Sequence, residues 1–188
     1  MAYVKQNIFV NGLSGTIAKQ MTLKVRKGKT VVCVKRGPDT LPPTMRQLVA
    51  RDKFEDALSY AREAIADPIK KLMYAAAAKG GQTAYNVAFK DAATFPKIVL
   101  IDTKQYSGTI GDVITLAVKN VVCVQSVKVR LLSATGIELE EGEAVPGDRV
   151  SYWRYATTLT NPTLKGTRIL VTATDLPGNV ATAERESR

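Results

Sequence analysis

"GTRILVTATDLPGNVATAE", residues 166–184, alternates apolar and polar side chains on either side of a Pro-Gly-Asn break. A period of two marks strands with one buried face, and Gly-Asn is turn chemistry. The stretch therefore reads as a strand, "GTRILVTATD", a turn, and a second strand, "NVATAE". The same texture extends back to Lys97 through "KIVLID", "DVITLAV", "SVKVRLL", "GIELEEG" and "RVSYWRYATTL", each set off by turn signals. Seven short strands in about 90 residues have the size and rhythm of a β-sandwich. Trp153, the single tryptophan, is expected to anchor its core.

Upstream the period changes to that of helices. Pro38, Pro42 and Pro43 form a stiff linker, and Thr44 is placed to cap a helix running to about Ala66. Its apolar stripe is Ala50, Phe54, Ala57, Leu58, Ala61 and Ile65. Asp67-Pro68 restarts the chain as N-cap and first helical residue. Ile69, Leu72, Met73 and Ala76 then give the inner stripe of a second helix, stopped by "KGG" at 79–81. A third spans about 82–93, with Tyr85, Ala88, Phe89 and Ala92 inward. Three such helices cannot bury their stripes alone, so they are expected to pack on one another and on the hairpin that precedes them.

That hairpin is "MTLKVRKGKTVVCVKR", Met21–Arg36, with six Lys or Arg and no carboxylate. A two-residue turn at Lys27-Gly28 pairs Arg26 with Lys29, Val25 with Thr30, Leu23 with Val32 and Met21 with Val34. Met21, Leu23, Val25, Val32 and Val34 then share one face, and Lys24, Arg26, Lys29 and Lys35 the other. Lysine is not the preferred first residue of such a turn, so a longer loop with a bulge at Gly28 stays open. The sequence thus predicts an α+β chain of two domains. Residues 1–95 form a basic β-hairpin packed with about three short helices, and residues 96–188 an immunoglobulin-like β-sandwich.

Residues 166–184 resemble the last hairpin of bacterial immunoglobulin-like domains, where a strand ending in V-x-A-x-D (here Val171, Ala173, Asp175) leads through a Gly-Asn turn to a final strand. The resemblance covers about 20 residues, and the strand count extends it to half the chain. It implies a sandwich and says nothing of activity. The disulfide pattern of antibody-type domains is missing, so only the broad sandwich is implied. Residues 1–95 resemble a group of uncharacterised bacterial proteins. The shared features are the Gly-rich start (Gly12 to Gly15), the Gly28-Lys29 hairpin, the Pro38 to Pro43 linker, and Gln47, Arg51, Lys53 and Phe54 in the helix. That group carries over no activity.

Charge is distributed unevenly. The net charge is +10 over 188 residues, and residues 1–38 hold eight Lys/Arg and no acid. Residues 39–95 hold eight basic and seven acidic side chains, and residues 96–188 eleven and ten. A block of one sign suggests an acidic partner: a protein patch, an anionic surface or nucleic acid. The residues assigned to that contact are Lys19, Lys24, Arg26, Lys27, Lys29, Lys35 and Arg36. The alternative is a solvated strand face with no specific partner, but eight cations without one acid is far from a mixed surface.

Other constellations carry less. The chain has no histidine, which removes the commonest general base and the usual Ser-His and Cys-His nucleophile systems. "GKT" at 28–30 lacks the earlier glycine of a phosphate loop, since Leu23 stands there, and a strand rather than a helix follows. "GLSG" at 12–15 is a turn, not a nucleophile elbow. Cys33 and Cys123 sit in apolar runs and read as buried free thiols, a disulfide being the lesser alternative. Glu138, Glu140, Glu141 and Glu143 read as a solvated sheet edge ahead of a Ca²⁺ site. Lys70 and Lys71 read as helix surface.

No cofactor, metal or small-molecule substrate is implied, and the chain reads as a non-enzyme. The first functional expectation is a structural or assembly protein that self-associates or docks on an acidic partner through the hairpin. It would project the sandwich, as modules of a virion, a phage-like particle or a cell surface do. The second is a nucleic-acid-binding protein using the hairpin on duplex phosphates. No aromatic lies between Lys19 and Arg36, which argues against stacking on single strands. The opening residues lack a signal-peptide pattern and no long apolar run exists. The expectation is therefore cytoplasmic synthesis, no membrane insertion, and in the first reading incorporation into a particle.

Overall fold

A hydrophobic period of two becomes a strand only where a neighbour pairs its backbone, and among the described residues twelve segments find one. The computed structural model describes residues 2–3, 8–34 and 41–187. The elements are β1 (Ala2–Tyr3), β2 (Gly15–Ile17), β3 (Met21–Arg26), β4 (Lys29–Val34), α1 (Met45–Ala66), α2 (Pro68–Ala77), α3 (Ala84–Ala92), β5 (Lys97–Gln105), β6 (Val113–Lys119), β7 (Val124–Leu132), β8 (Glu138–Glu143), β9 (Val145–Pro146), β10 (Tyr152–Ala156), β11 (Arg168–Asp175) and β12 (Val180–Glu186). The protein is mixed α+β and mostly β, with three antiparallel sheets.

Contacts within the chain divide it into two units, Met1–Thr44 and Met45–Arg188. This boundary lies well before the one at 95/96 that the change of sequence texture suggested. The helices bury their inner side within the second unit. Ala61, Ala64, Tyr74, Val87 and Ala88 form one apolar cluster, and Val121, Val122 and Leu176 from strand connections pack against it.

In the first unit the sheet order is β1-β4-β3-β2. The expected hairpin register is found: Met21 pairs with Val34, Leu23 with Val32, Val25 with Thr30 and Arg26 with Lys29. Lys27 (φ 49°) and Gly28 (φ 72°) both take the left-handed conformation of a two-residue turn. The bulged alternative is therefore not used. Burial is less complete than the face pattern suggested. Leu23, Thr30 and Val31 are buried, while Met21 (43%), Val25 (47%) and Val34 (83%) keep much of their surface exposed.

The second unit holds two four-stranded sheets, β5-β6-β10-β9 and β12-β11-β7-β8. Strand β11 alternates buried and half-buried residues along its whole length. It pairs with β12 on one side and β7 on the other. Inward side chains of both sheets, among them Ile114, Leu116, Val129, Ile169, Val171 and Trp153, make one core. Trp153 anchors this core as expected. The long run at 149–159 supplies only the five residues of β10, and the two-residue β9 was not foreseen.

Helix α2 is rotated relative to its expected orientation. Asp67 caps it through Ile69 N and Lys70 N, with Pro68 in the first turn, as its sequence predicts. Yet Ile69, Leu72, Met73 and Ala76 face outward, and Tyr74 is fully buried. Small side chains explain this: Ala57, Ala61 and Ala64 of α1 are buried, and alanine lets helices approach closely enough for the Tyr74 hydroxyl to reach a carboxylate on α3.

Candidate functional site: the basic hairpin

Register places the cations. Paired residues of an antiparallel ladder share a face, so Lys24, Arg26 and Lys29 project from one side of β3–β4. Lys27 stands at the tip, and Lys19, also at positive φ (57°), stands in the turn between β2 and β3. All five are exposed. No Asp or Glu meets any of them in an ion pair among the described residues. Lys35 and Arg36 lie outside the described residues. The structure thus brings together Lys24, Arg26, Lys27 and Lys29, with Lys19 at the adjoining turn.

Two features of this sheet were missed by the sequence reading. Val31 is buried on the same face as Lys24, its partner across the ladder, and the register of β1 on β4 sets Tyr3 beside it along the backbone. Thr30 is buried on the other face, where its hydroxyl accepts the Gly12 N–H at 2.8 Å. The Asn-Gly turn at 11–12 is therefore fastened to the hairpin. Two- and three-residue strands leave no periodic signal to find beforehand.

A different polar cluster lies in the second unit. Asp91 on α3 is fully buried. It accepts from the Tyr74 hydroxyl (3.0 Å), Asn120 Nδ2 (3.3 Å) and the Val122 N–H (3.3 Å). Tyr60 and Tyr74 share a hydroxyl contact of 2.8 Å. Asn179 Nδ2 reaches the Ala92 carbonyl at 3.2 Å and Asp175 Oδ2 at 3.0 Å. Burial, reinforced by the nearby Asp175 charge, pushes the Asp91 carboxyl up to about 6 despite those donors. Burial also raises the Tyr74 hydroxyl and the Cys123 thiol. With every Asp91 carboxylate oxygen engaged and the side chain fully buried, this cluster ties α2 and α3 to strand connections.

No family model matches the chain, and no curated protein matches it. Among solved structures, the crystal structure of an engineered protein is similar over 55% of this chain at 16% identity and a TM-score of 0.35. The chain spans 25% of that protein's length. So loose a likeness carries no argument about fold or function.

The acidic run also differs from a solvated edge. Glu138 and Glu141 pair with Arg130 at 3.2 and 2.8 Å. Glu140 turns inward instead, opposite the buried Leu131 across the ladder, and a register shift between Leu131 and Leu132 leaves Glu138 exposed. It accepts from the Tyr155 hydroxyl (3.2 Å), Thr158 N and Oγ1 (3.0 Å each) and Leu159 N (2.8 Å). Burial and the Glu140 charge push the Tyr155 hydroxyl up to about 12. A Cβ at Gly142 would lie 2.7 Å from that tyrosine ring, so the glycine leaves room for the pair. Among the described residues no group of three His, Cys, Asp or Glu is placed to hold a metal, and no helix is long and apolar enough to cross a membrane. Cys33 and Cys123 are free thiols, half-buried rather than buried.

Proposed function

We propose that this chain is a non-enzymatic structural or assembly protein that docks through the basic face of β3–β4 on an acidic protein partner or another copy of itself. The strands from Lys97 onward act as an immunoglobulin-like sandwich projected by that attachment, in the manner of a virion, phage-like or surface component. The observation that carries the reading is the set of unpartnered cations on one hairpin. Lys24, Arg26 and Lys29 crowd one face, Lys27 tops it, and among the described residues no carboxylate answers them. Like charges opposed across a ladder destabilise it, and an acidic surface removes that penalty. The strand order of the two sheets and their shared core around Trp153 support the sandwich.

Mass in solution at two salt concentrations, with and without a short DNA duplex, tests this. A large oligomer that dissociates with salt and ignores DNA is expected. Lys24→Glu with Lys29→Glu should leave the monomer folded and abolish association. Association that persists unchanged in that variant refutes the contact role of this face. A monomer that shifts only when DNA is added makes the hairpin a duplex-phosphate binder, with steep salt dependence.

A further inference from the structure

Helix α1 carries a line of carboxylates. Asp52, Asp56 and Glu63 stand at i, i+4 and i+11, which the helical period sets one above another. All three are exposed, and the buried Ala57, Ala61 and Ala64 lie on another side of the helix. By the same period Arg46, Arg51 and Arg62 fall off the line. Two nearby cations are held over rings of their own chain, Lys53 over Phe95 at 5.7 Å and Lys70 over Tyr60 at 5.8 Å. None of the three acids is in an ion pair among the described residues. Asp52 and Asp56, like charges at i and i+4, repel one another. The acids of β8 differ, because Glu138 and Glu141 already meet Arg130.

We propose that the basic face of β3–β4 in one copy docks on the Asp52, Asp56 and Glu63 line of α1 in a second copy. This rests on the reading of the hairpin as a contact face and names the acidic surface it meets. Both surfaces are exposed and each has one sign. Their spacings agree. Lys24 and Arg26, two residues apart on one face of a strand, stand about 6.5 Å apart. Asp52 and Asp56, four residues apart on a helix, stand about 6 Å apart along its axis. Lys29, opposite Arg26 across the ladder, adds a third cation, and Glu63 a third acid.

Hairpin against hairpin would set cation on cation, and α1 against α1 acid on acid. The contact therefore joins unlike patches and repeats head to tail into a ring or filament. Its ion pairs lie in solvent, so salt screens them and single contacts are weak.

Two charge-reversed chains test it, by sedimentation at low salt over a range of concentrations. One carries Lys24→Glu, Arg26→Glu and Lys29→Glu, and amide exchange at Val31 checks that its hairpin is formed. The other carries Asp52→Lys and Asp56→Lys. Each alone should associate about tenfold more weakly than the natural chain, or worse. Mixed, each reversed face finds its complement on the other chain, and association should return. Chains that stay apart on mixing overturn the proposal. So does an α1-reversed chain that associates normally; if the hairpin-reversed chain is then monomeric, the hairpin contact stands and its acids lie elsewhere. A hairpin-reversed chain that associates normally removes both readings. A natural chain that is monomeric throughout overturns this one and leaves the hairpin to a different acidic protein.

Discussion

The two units treat charge in opposite ways. In Met45–Arg188 the buried carboxylates Asp91, Glu140 and Asp175 are each held by two or more donors, none of them a cation. The half-buried Arg130 and Arg168 and the exposed Arg154 each meet an acid. Among the described residues of Met1–Thr44 the hairpin cations have no acid partner, and the buried ones are Leu23, Thr30 and Val31. A unit with a shared two-sheet core can hold polar groups internally. A small sheet in which three of the described residues are buried has little stability to spare, and its charge is directed outward.

The largest expected effect comes from the core. Ile169→Ala removes a fully buried side chain from the central strand β11 and should cost about 2–5 kcal/mol. Trp153, alone of its kind and inside the same core, reports the transition by fluorescence. Amide exchange in β3–β4 should not change. Loss of hairpin protection at the same denaturant concentration would show one cooperative unit and remove the contrast.

A smaller effect follows from Asp91. Its folded-state value of about 6 lies above the ordinary 3.8, so the folded chain holds a proton that the unfolded chain has released. The associated stability is complete below the ordinary value and is lost as pH rises towards 6. Tyr60, Tyr74, Cys123 and Asp175 surround the group, and of these only Asp175 is a carboxylate. Denaturation at pH 5 and pH 7 should show the natural chain losing stability relative to Asp91→Asn. Parallel profiles for the two would show that Asp91 titrates normally.

Much of this was legible in the residues. The hairpin register followed from one rule, that a slip of one residue exchanges the faces of Leu23 and Lys24. The strands from Lys97 onward announced themselves by alternation, because each has one face on a shared core. Helix α2 did not. Its most regular apolar stripe faces outward, and the residue that orients it, Tyr74, carries a hydroxyl that must reach Asp91, 17 positions away. Glu140 was hidden for a similar reason: one acid among four in a run gives no sign that its donors lie on a loop 18 residues downstream. Periodicity records what a face looks like. Which face is covered depends on contacts distant in sequence.

The smallest expected effect separates folding from contact at the hairpin tip. Lys27 sits at φ 49° and Gly28 at φ 72°. Glycine meets that geometry without strain, and asparagine meets it better than lysine, because its short polar side chain bonds the local backbone. Lys27→Asn should therefore stabilise β3–β4 by up to about 1 kcal/mol, seen as slower amide exchange at Val31, whose N–H faces Lys24 across the ladder. A turn chosen for stability alone would carry that asparagine. If Lys27 contributes to docking on an acidic surface, the same variant should weaken salt-sensitive association while the hairpin becomes more stable. Stability and association moving in opposite directions would mark the tip as a contact residue. Association that rises with stability would mean that the hairpin acts through its fold and not through this charge.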